Sequence, residues 1–274
     1  MQIPPSIALS GFVRHYLFLE TRSGEARKLH LFPDGNTGLV FSFGNNLIRQ
    51  FTECNTPDYL PDSFVYGQIS SFKNLYCQGE TSLMIVVFHA YGISRLLGIA
   101  SNELKDCILG TSDLFGSRSV EVREKLLAQS SIQGRINVVE DFLKTFPAKK
   151  IRPLQPLVTA SIDVIVKNKG IVSSRQLTQF TGHNERKLER AFIESIGISP
   201  RRFSSIVRLH VFLRHLKTRA KKTNLTTIGY DAGYYDQPHL IREFKKHTGL
   251  TPTQYLNQAE LLAVNFLTLL KKEE

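Results

Sequence analysis

Cysteine is scarce. The 274-residue chain has three, Cys54, Cys77 and Cys107, far apart and with no Cys-x-x-Cys pair. This excludes a disulfide scaffold and points to a reducing compartment, with the thiols read as small buried apolar groups. No apolar run reaches about 18 residues, so no spanning helix is expected. The start, Met1-Gln2-Ile3-Pro4-Pro5, lacks the basic and apolar segments of a secretory leader. The expected location is the cytoplasm. A metal-binding histidine set is also missing, because His15, His30 and His89 do not have the spacing of a His-x-His pair with a carboxylate and a third histidine. There is no Gly-rich phosphate loop, no Gly-x-Ser-x-Gly elbow and no Cys–His arrangement that would suggest a nucleophile. No metal, no cofactor and no enzymatic activity are expected.

What is present is ordinary globular composition, 42% apolar and 22% charged, in a chain long enough for two domains. The charge is unevenly placed. Residues 152–274 hold 20 of the 35 Lys+Arg and 10 of the 24 Asp+Glu, a net of +10, whereas residues 1–151 are at +1. A basic half behind a neutral half suggests a polyanion-binding module attached to something else.

The first ~90 residues read as short strands. Phe12 to Leu19 alternates, Leu29 to Phe32 and Leu39 to Phe43 are further runs, and Phe64 to Tyr66 and Leu83 to Phe88 follow. Pro33-Asp34-Gly35-Asn36 is a turn. After His89 the pattern is helical. Ile93, Leu96 and Leu97 have helical spacing, Val120 to Ala128 forms one helix, and Ile136, Val139, Phe142, Leu143 and Phe146 mark one face of another. Residues 147–156 contain three prolines and read as a linker. Beyond it nothing alternates like a strand, so the second half is expected to be wholly helical.

The basic half contains a repeat. Leu188, Arg190, Phe192, Gly197, Ser199, Pro200 and Phe203 recur 52 residues on as Leu240, Arg242, Phe244, Gly249, Thr251, Pro252 and Tyr255. Upstream the offset is 51, Leu177 matching Ile228 and Gly182 matching Gly233, with one residue inserted at Tyr234-Tyr235. Each copy parses as a short helix, a glycine turn and a second helix. In the first copy Ser173 and Gln176 make a capping box, Gly182 turns, and Asn184 caps. In the second, Thr226 or Thr227 starts the first helix, Gly233 turns, and Asp236 caps. This is the helix-turn-helix pattern, whose second helix enters the major groove.

With Leu188 and Phe192 inward, Glu185, Arg186, Glu189 and Arg190 face out; with Leu240 and Phe244 inward, Gln237, Pro238, His239, Ile241 and Arg242 do. Arginine can grip guanine with two hydrogen bonds, glutamine can do so with adenine, glutamate can accept from cytosine, and isoleucine can touch a thymine methyl. Base contacts are therefore assigned to Arg186, Glu189, Arg190, Gln237, Pro238, His239, Ile241 and Arg242. Phosphate contacts fall to Ser173, Asn184, Lys187, Arg201, Arg202, Lys245 and Lys246. Ser199-Pro200 opens a connector helix to about Arg219. Its length of about 30 Å suits placing two recognition helices in successive grooves of one duplex face, one turn being about 34 Å.

At these residues the sequence resembles the DNA-binding domain of the AraC/XylS family of transcription regulators, over about residues 156–256. Ile228, Gly233-Tyr234-Tyr235-Asp236-Gln237, Phe244-Lys245-Lys246 and Gly249-Leu250-Thr251-Pro252 with Tyr255 look like the family signature. Two residues depart from it: Gly229 stands where alanine is usual, and Phe212 where a small residue is usual. In the first half, Pro33-Asp34-Gly35, Val40-Phe41-Ser42-Phe43-Gly44, Tyr66-Gly67-Gln68 and Phe88 to Leu97 are similar to the amino-terminal domain of some members. The resemblance implies an α+β chain: a cupin-like β-barrel with trailing helices over 1–147, used to sense an effector or to dimerise, a linker over 148–155, and an all-α domain with two helix-turn-helix units over 156–256.

Phe32, Phe41, Phe43, Tyr66 and Tyr76 could line an effector cavity in the barrel, or simply form its core. After them, residues 257–274 read as an apolar helix, with Leu262, Phe266, Leu269 and Leu270 in one stripe. It could pack on its own domain, or dock on the first domain or a second subunit. The expected partners are double-stranded DNA, a small-molecule effector and a second copy of the chain, with no membrane. A cupin-type enzyme or small-molecule binder with a nucleic-acid-binding appendage is the alternative.

Overall fold

The computed structural model describes residues 1–21, 27–45, 47–51, 57–146, 154–219, 223–257, 259–263 and 265–269. Cys54 and most of the expected linker 148–155 lie outside them. The chain forms two compact units. The first comprises Met1–Leu29, Asn36–Gln68 and Asn74–Pro153; the second comprises His30–Gly35, Ile69–Lys73 and Leu154–Glu274. Two short segments from the first half of the sequence therefore group with the helix-turn-helix half. Among the described residues no helix is long and apolar enough to cross a membrane.

The strands of the first half are β1 (Gln2–Ile3), β2 (Val13–Thr21), β3 (Arg27–Leu31), β4 (Thr37–Ser42), β5 (Ile48–Phe51), β6 (Pro57–Tyr59), β7 (Ser63–Tyr66), β8 (Lys73–Cys77) and β9 (Thr81–Phe88). Then come α1 (Gly92–Leu97), α2 (Ser101–Leu104), β10 (Ile108–Gly110), α3 (Thr111–Phe115), α4 (Ser117–Leu127) and α5 (Ile132–Lys144). One antiparallel sheet has the order β1-β2-β9-β4-β7-β10, and β3-β8-β5-β6 run side by side in a second. The expected barrel is corrected here: the sheets are open, with β1 and β10 as the end strands of the first.

All six residues of β4 are buried, which fits a central strand covered on both faces. The core joins Tyr16, Phe41, Val86 and Phe88 of the sheet to Leu126 of α4 and to Ile136, Val139, Phe142 and Leu143 of α5. The face read from the sequence of α5 is thus the face it buries. One carboxylate shares that face. Glu140 Oε1 accepts from the Ser6 amide at 2.8 Å and from the Tyr16 hydroxyl at 3.2 Å, and Lys144 Nζ lies 3.5 Å from Oε2. Burial acts to raise the Glu140 pKa, but these partners outweigh it and hold the group below the usual carboxylate range. Burial, with Glu140 beside it, pushes the Tyr16 phenol well up.

The second unit contains α6 (Pro156–Lys167), α7 (Ser174–Thr181), α8 (Glu185–Ile196), α9 (Pro200–Arg219), α10 (Leu225–Asp231), α11 (Gln237–Thr248) and α12 (Pro252–Asn257). It ends in a hairpin of β11 (Ala259–Ala263) and β12 (Phe266–Leu269). The expected tail helix is therefore wrong, as is the expectation of a wholly helical second half. Phe266, Leu267 and Thr268 are all buried in succession, the pattern of a short strand covered on both faces rather than of a helix stripe. The hairpin packs into its own unit. Leu267 joins the core of Phe212, Leu216, Leu240, Phe244 and Tyr255.

Phe32 is in that same core and is fully buried. Its amide donates to the Asn265 carbonyl at 3.1 Å, and Asn265 Nδ2 donates back to the Phe32 carbonyl at 3.2 Å. His210 Nε2 lies 3.1 Å from the Pro33 carbonyl oxygen. Gly35, at φ +77°, leaves room for the Phe203 ring, which a Cβ would meet at 3.1 Å. The two departures from the family pattern sit in this core. Phe212 makes edge contacts with Tyr234 and Phe244, and an added methyl at Gly229 would lie 3.1 Å from Leu240.

Candidate nucleic-acid interface

Each helix-turn-helix copy is built from local signals. In the first, the Gln176 amide donates to Ser173 Oγ at 3.2 Å while the Ser173 amide donates to Gln176 Oε1 at 2.8 Å, a complete capping box. Gly182 takes φ +67° at the turn, and Asn184 Oδ1 accepts from the Lys187 amide at 2.8 Å. In the second copy the cap of α10 is Asn224, which accepts from the Thr227 amide at 2.8 Å, not Thr226 or Thr227 as the sequence suggested. Gly233 turns at φ +85°, and Asp236 Oδ1 accepts from the His239 amide at 2.7 Å. Both α8 and α11 have twelve residues and both stop at a left-handed glycine, Gly197 and Gly249.

The inward faces hold Leu188, Ala191, Phe192 and Ile196 in α8, and Leu240, Phe244, His247 and Thr248 in α11. The outward faces carry the assigned base-contact residues. Arg186, Glu189, Arg190, Gln237, Pro238 and Arg242 are exposed, whereas His239 and Ile241 are half-buried. Thr226 Oγ1 donates to Gln237 Oε1 at 3.3 Å, which orients that amide. The His239 ring stands edge-on to Tyr234, and its Nδ1 faces the Tyr235 amide at 3.5 Å. Both contacts restrict the rotamers of residues at the front of α11.

Of the phosphate candidates, Ser173, Asn184, Lys187, Arg201, Lys245 and Lys246 are exposed. Arg202 is different. It is half-buried and donates from Nη2 to the Ser70 carbonyl at 2.6 Å, so its guanidinium is engaged inside the unit. One exposed residue escaped the sequence reading. Tyr235 is 83% exposed at the entrance to α11, while its neighbour Tyr234 is buried. The signal was the one-residue insertion in the second copy.

The connector α9 is twenty residues long, about 30 Å. It opens with Ser199 Oγ accepting from the Arg202 amide at 3.2 Å. On its face toward α11 it carries a polar cluster. Arg208 Nη2 lies 2.8 Å from Glu243 Oε2, Ser205 Oγ donates to the same oxygen at 3.1 Å, and Ser205 Oγ lies 2.6 Å from His247 Nε2. Arg208 also lies over the Tyr234 ring at 5.0 Å. Burial is the main force holding the His247 pKa down, to about 3, so the ring is neutral at physiological pH. For Glu243 burial acts upward, but Arg208 and Ser205 outweigh it and hold the carboxylate below its usual range.

The five aromatic residues expected to line an effector cavity are distributed as follows. Phe32 belongs to the second unit, Phe41 lies in the sheet core, Phe43 is half-buried with the Arg135 guanidinium 3.9 Å above its ring, and Tyr66 and Tyr76 are half-buried in β7 and β8. A cavity of about 220 Å³ does occur in the first unit, among Leu9, Phe12, Phe88, Leu96, Leu143 and Phe146, with Lys144 in its lining. Among the described residues no three His, Cys, Asp or Glu side chains group as a metal site.

Residues 177–258 match a helix-turn-helix domain family, and residues 1–109 match a domain of unknown function, DUF6597. An uncharacterized HTH-type transcriptional regulator of Haemophilus influenzae is 29% identical over 105 residues, 38% of this chain and 35% of that protein. The chain thus spans about a third of the length of this curated relative. The unsaturated fatty acid-bound form of ToxT from Vibrio cholerae aligns over 88% of this chain and 94% of its own, at 12% identity and a TM-score of 0.50. At that identity the likeness is one of fold. A regulator of Chromobacterium violaceum with an AraC-type DNA-binding domain aligns over 38% of this chain and 92% of its own, at 24% identity and a TM-score of 0.35. The two capped copies, glycine turns and connector thus lie in the half of the chain that matches a helix-turn-helix domain family, behind the match to DUF6597.

Proposed function

We propose that the chain is a sequence-specific double-stranded DNA-binding transcription regulator, with α8 and α11 reading successive major grooves of one duplex face. The observation that carries this is the pair of outward faces on α8 and α11. Each is exposed, each bears an arginine at the matching repeat position (Arg190 and Arg242), and each is anchored by a capped, apolar inner face. Lys187, Arg201, Lys245 and Lys246 supply phosphate contacts that hold the register, and the engaged Arg202 is left out of that set.

The reading separates two classes of variant. Arg190→Ala or Arg242→Ala loses about 1–3 kcal/mol at one position of the site and relaxes specificity there. Lys245→Ala weakens specific and random DNA alike and lowers the salt slope by about one. Titrations of each variant on specific and random duplexes at several salt concentrations check this. Identical behaviour of the two classes would refute the facing assignment.

The first unit is read as the sensor or dimerisation part, and its cavity as the effector site in place of the five aromatic residues singled out from sequence. An apolar cavity of about 150 Å³ takes up benzene, so 220 Å³ admits a ring with a short substituent. Leu96→Trp, which fills the cavity, should abolish thermal stabilisation by such compounds. Equal stabilisation of variant and wild type would move the effector elsewhere.

A further inference from the structure

The carboxylate and imidazole of the polar cluster between α9 and α11 do not recur at the matching positions of the first helix-turn-helix copy. At the repeat offset of 52, Glu243 corresponds to Ala191 and His247 to Ser195. The first recognition helix meets α9 through apolar contact, such as the Phe192–Phe203 edge pair with centroids 5.6 Å apart. The second meets it through an ion pair and a serine–histidine link as well.

Hydrogen-bond chemistry assigns the direction of that link. The Glu243 carboxylate can only accept, so at 3.1 Å the Ser205 hydroxyl donates to it. The single hydroxyl proton is then used, and His247 Nε2, 2.6 Å from Ser205 Oγ, must carry the proton it donates. A neutral His247 in the Nε2–H form satisfies this. The chain runs from His247 through Ser205 to Glu243, which also accepts from Arg208. Glu243 and His247 are four residues apart on α11, and Ser205 and Arg208 are three apart on α9, so each pair lies on one face of its helix.

Apolar contacts are non-directional and let two helices slide or rotate over small distances. The Arg208–Glu243 ion pair is half-buried; such a pair adds little net stability, and the best-attested use of polar contacts inside a fold is to select one arrangement among several. The lever arm makes this matter for DNA. Glu243 lies six residues from Gln237, about 9 Å along the helix. A tilt of about 10° about the cluster would move the base-contacting end by about 1.6 Å, enough to break bidentate hydrogen bonds, which need heavy-atom distances of about 2.7–3.2 Å.

We infer that Ser205, Arg208, Glu243 and His247 form a positioning clamp that fixes the second recognition helix on the connector, and so sets the spacing between contact blocks that the protein accepts. The four are positioning residues, since they act on DNA only through the orientation of α11. The clamp rests on the reading of α8 and α11 as recognition helices.

The test uses the full chain and duplexes carrying its two selected contact blocks, with the intervening spacer changed by one or two base pairs either way. A companion duplex has the second block scrambled. Wild type should favour the selected spacing by at least about tenfold, a discrimination like that for one mismatched pair. In Ser205→Ala and Glu243→Gln that preference should fall below about threefold, while binding to the companion duplex stays within about twofold of wild type. A spacing preference as sharp as wild type in both variants would overturn the clamp, and so would an equal loss on the companion duplex. If Glu243→Gln fails to fold, Ser205→Ala, which removes one hydroxyl, decides alone. Failure of the underlying reading looks different: wild type itself would then show no two-block preference.

Discussion

Replacing Phe32 by alanine removes a fully buried ring from the core of the helix-turn-helix unit. The ring stands edge-on to Tyr255, with centroids 6.3 Å apart, and its backbone is paired on both sides with Asn265. A buried Phe→Ala change costs about 3–5 kcal/mol from lost transfer free energy and the cavity left behind. The aromatic pair accounts for about 0.5–1.5 kcal/mol on its own. At 1.36 kcal/mol for each factor of ten, an effect of about 4 kcal/mol lowers amide protection by about a thousandfold wherever exchange requires the unit to open. Hydrogen exchange on the full chain, read amide by amide, locates the loss. It should fall on α9 and α11, around Leu209, Leu216, Leu240 and Phe244, and DNA affinity should drop with it. Unchanged protection there, with loss confined to β4, β7 and β9, would place Phe32 with the first unit and refute this account of the core.

Acid should weaken the clamp. The folded-state pKa of His247 is depressed to about 3 from 6.5, so the unfolded chain binds more protons between these values. The stability from keeping the ring neutral is complete above pH 6.5 and is lost as pH falls from 6.5 toward 3, with a slope of up to about 1.4 kcal/mol per pH unit. Glu243, also depressed, adds a loss of the same sign only below its ordinary carboxylate value of 4.5. Urea midpoints of wild type and His247→Asn between pH 6.5 and 5 should show the steeper decline in wild type; parallel curves would contradict the buried neutral ring. Asp236→Ala removes the cap of α11 and should cost about 1 kcal/mol in the same measurement. Asp236→Ser should recover most of it, and a variant with wild-type stability would show that the cap bond of 2.7 Å contributes nothing.

The elements legible in the sequence are those specified locally. Ser173 with Gln176, Asn184, Asp236 and the left-handed glycines Gly182, Gly233 and Gly249 announce helix ends within four residues, and the helices start and stop there. The outward faces of α8 and α11 follow from helical period alone once Leu188, Phe192, Leu240 and Phe244 point inward. Asn224 was passed over because the two threonines behind it are plausible caps by residue type, and only the bond to the Thr227 amide distinguishes them.

What was illegible depends on distant partners. The stretch from Ala259 to Leu269 has apolar residues at both helical and strand spacings. Pairing of Leu261 with Leu267 and the hydrogen bonds between Asn265 and Phe32 settle it as a hairpin. Phe32 lies 233 positions from Asn265, so no window of sequence reveals which core it enters. The clamp has the same character, because Ser205, Arg208, Glu243 and His247 read singly as ordinary polar residues and acquire a role only when α9 and α11 cross.

Selection from random duplexes with the purified full chain, at two salt concentrations, tests the central claim most directly. The account predicts enrichment of a site with two contact blocks about one helical turn, 10–10.5 base pairs, apart, persisting at the higher salt. Binding that is strong at low salt, fades at high salt and enriches no sequence would contradict it, leaving the basic half as a holder of polyanions.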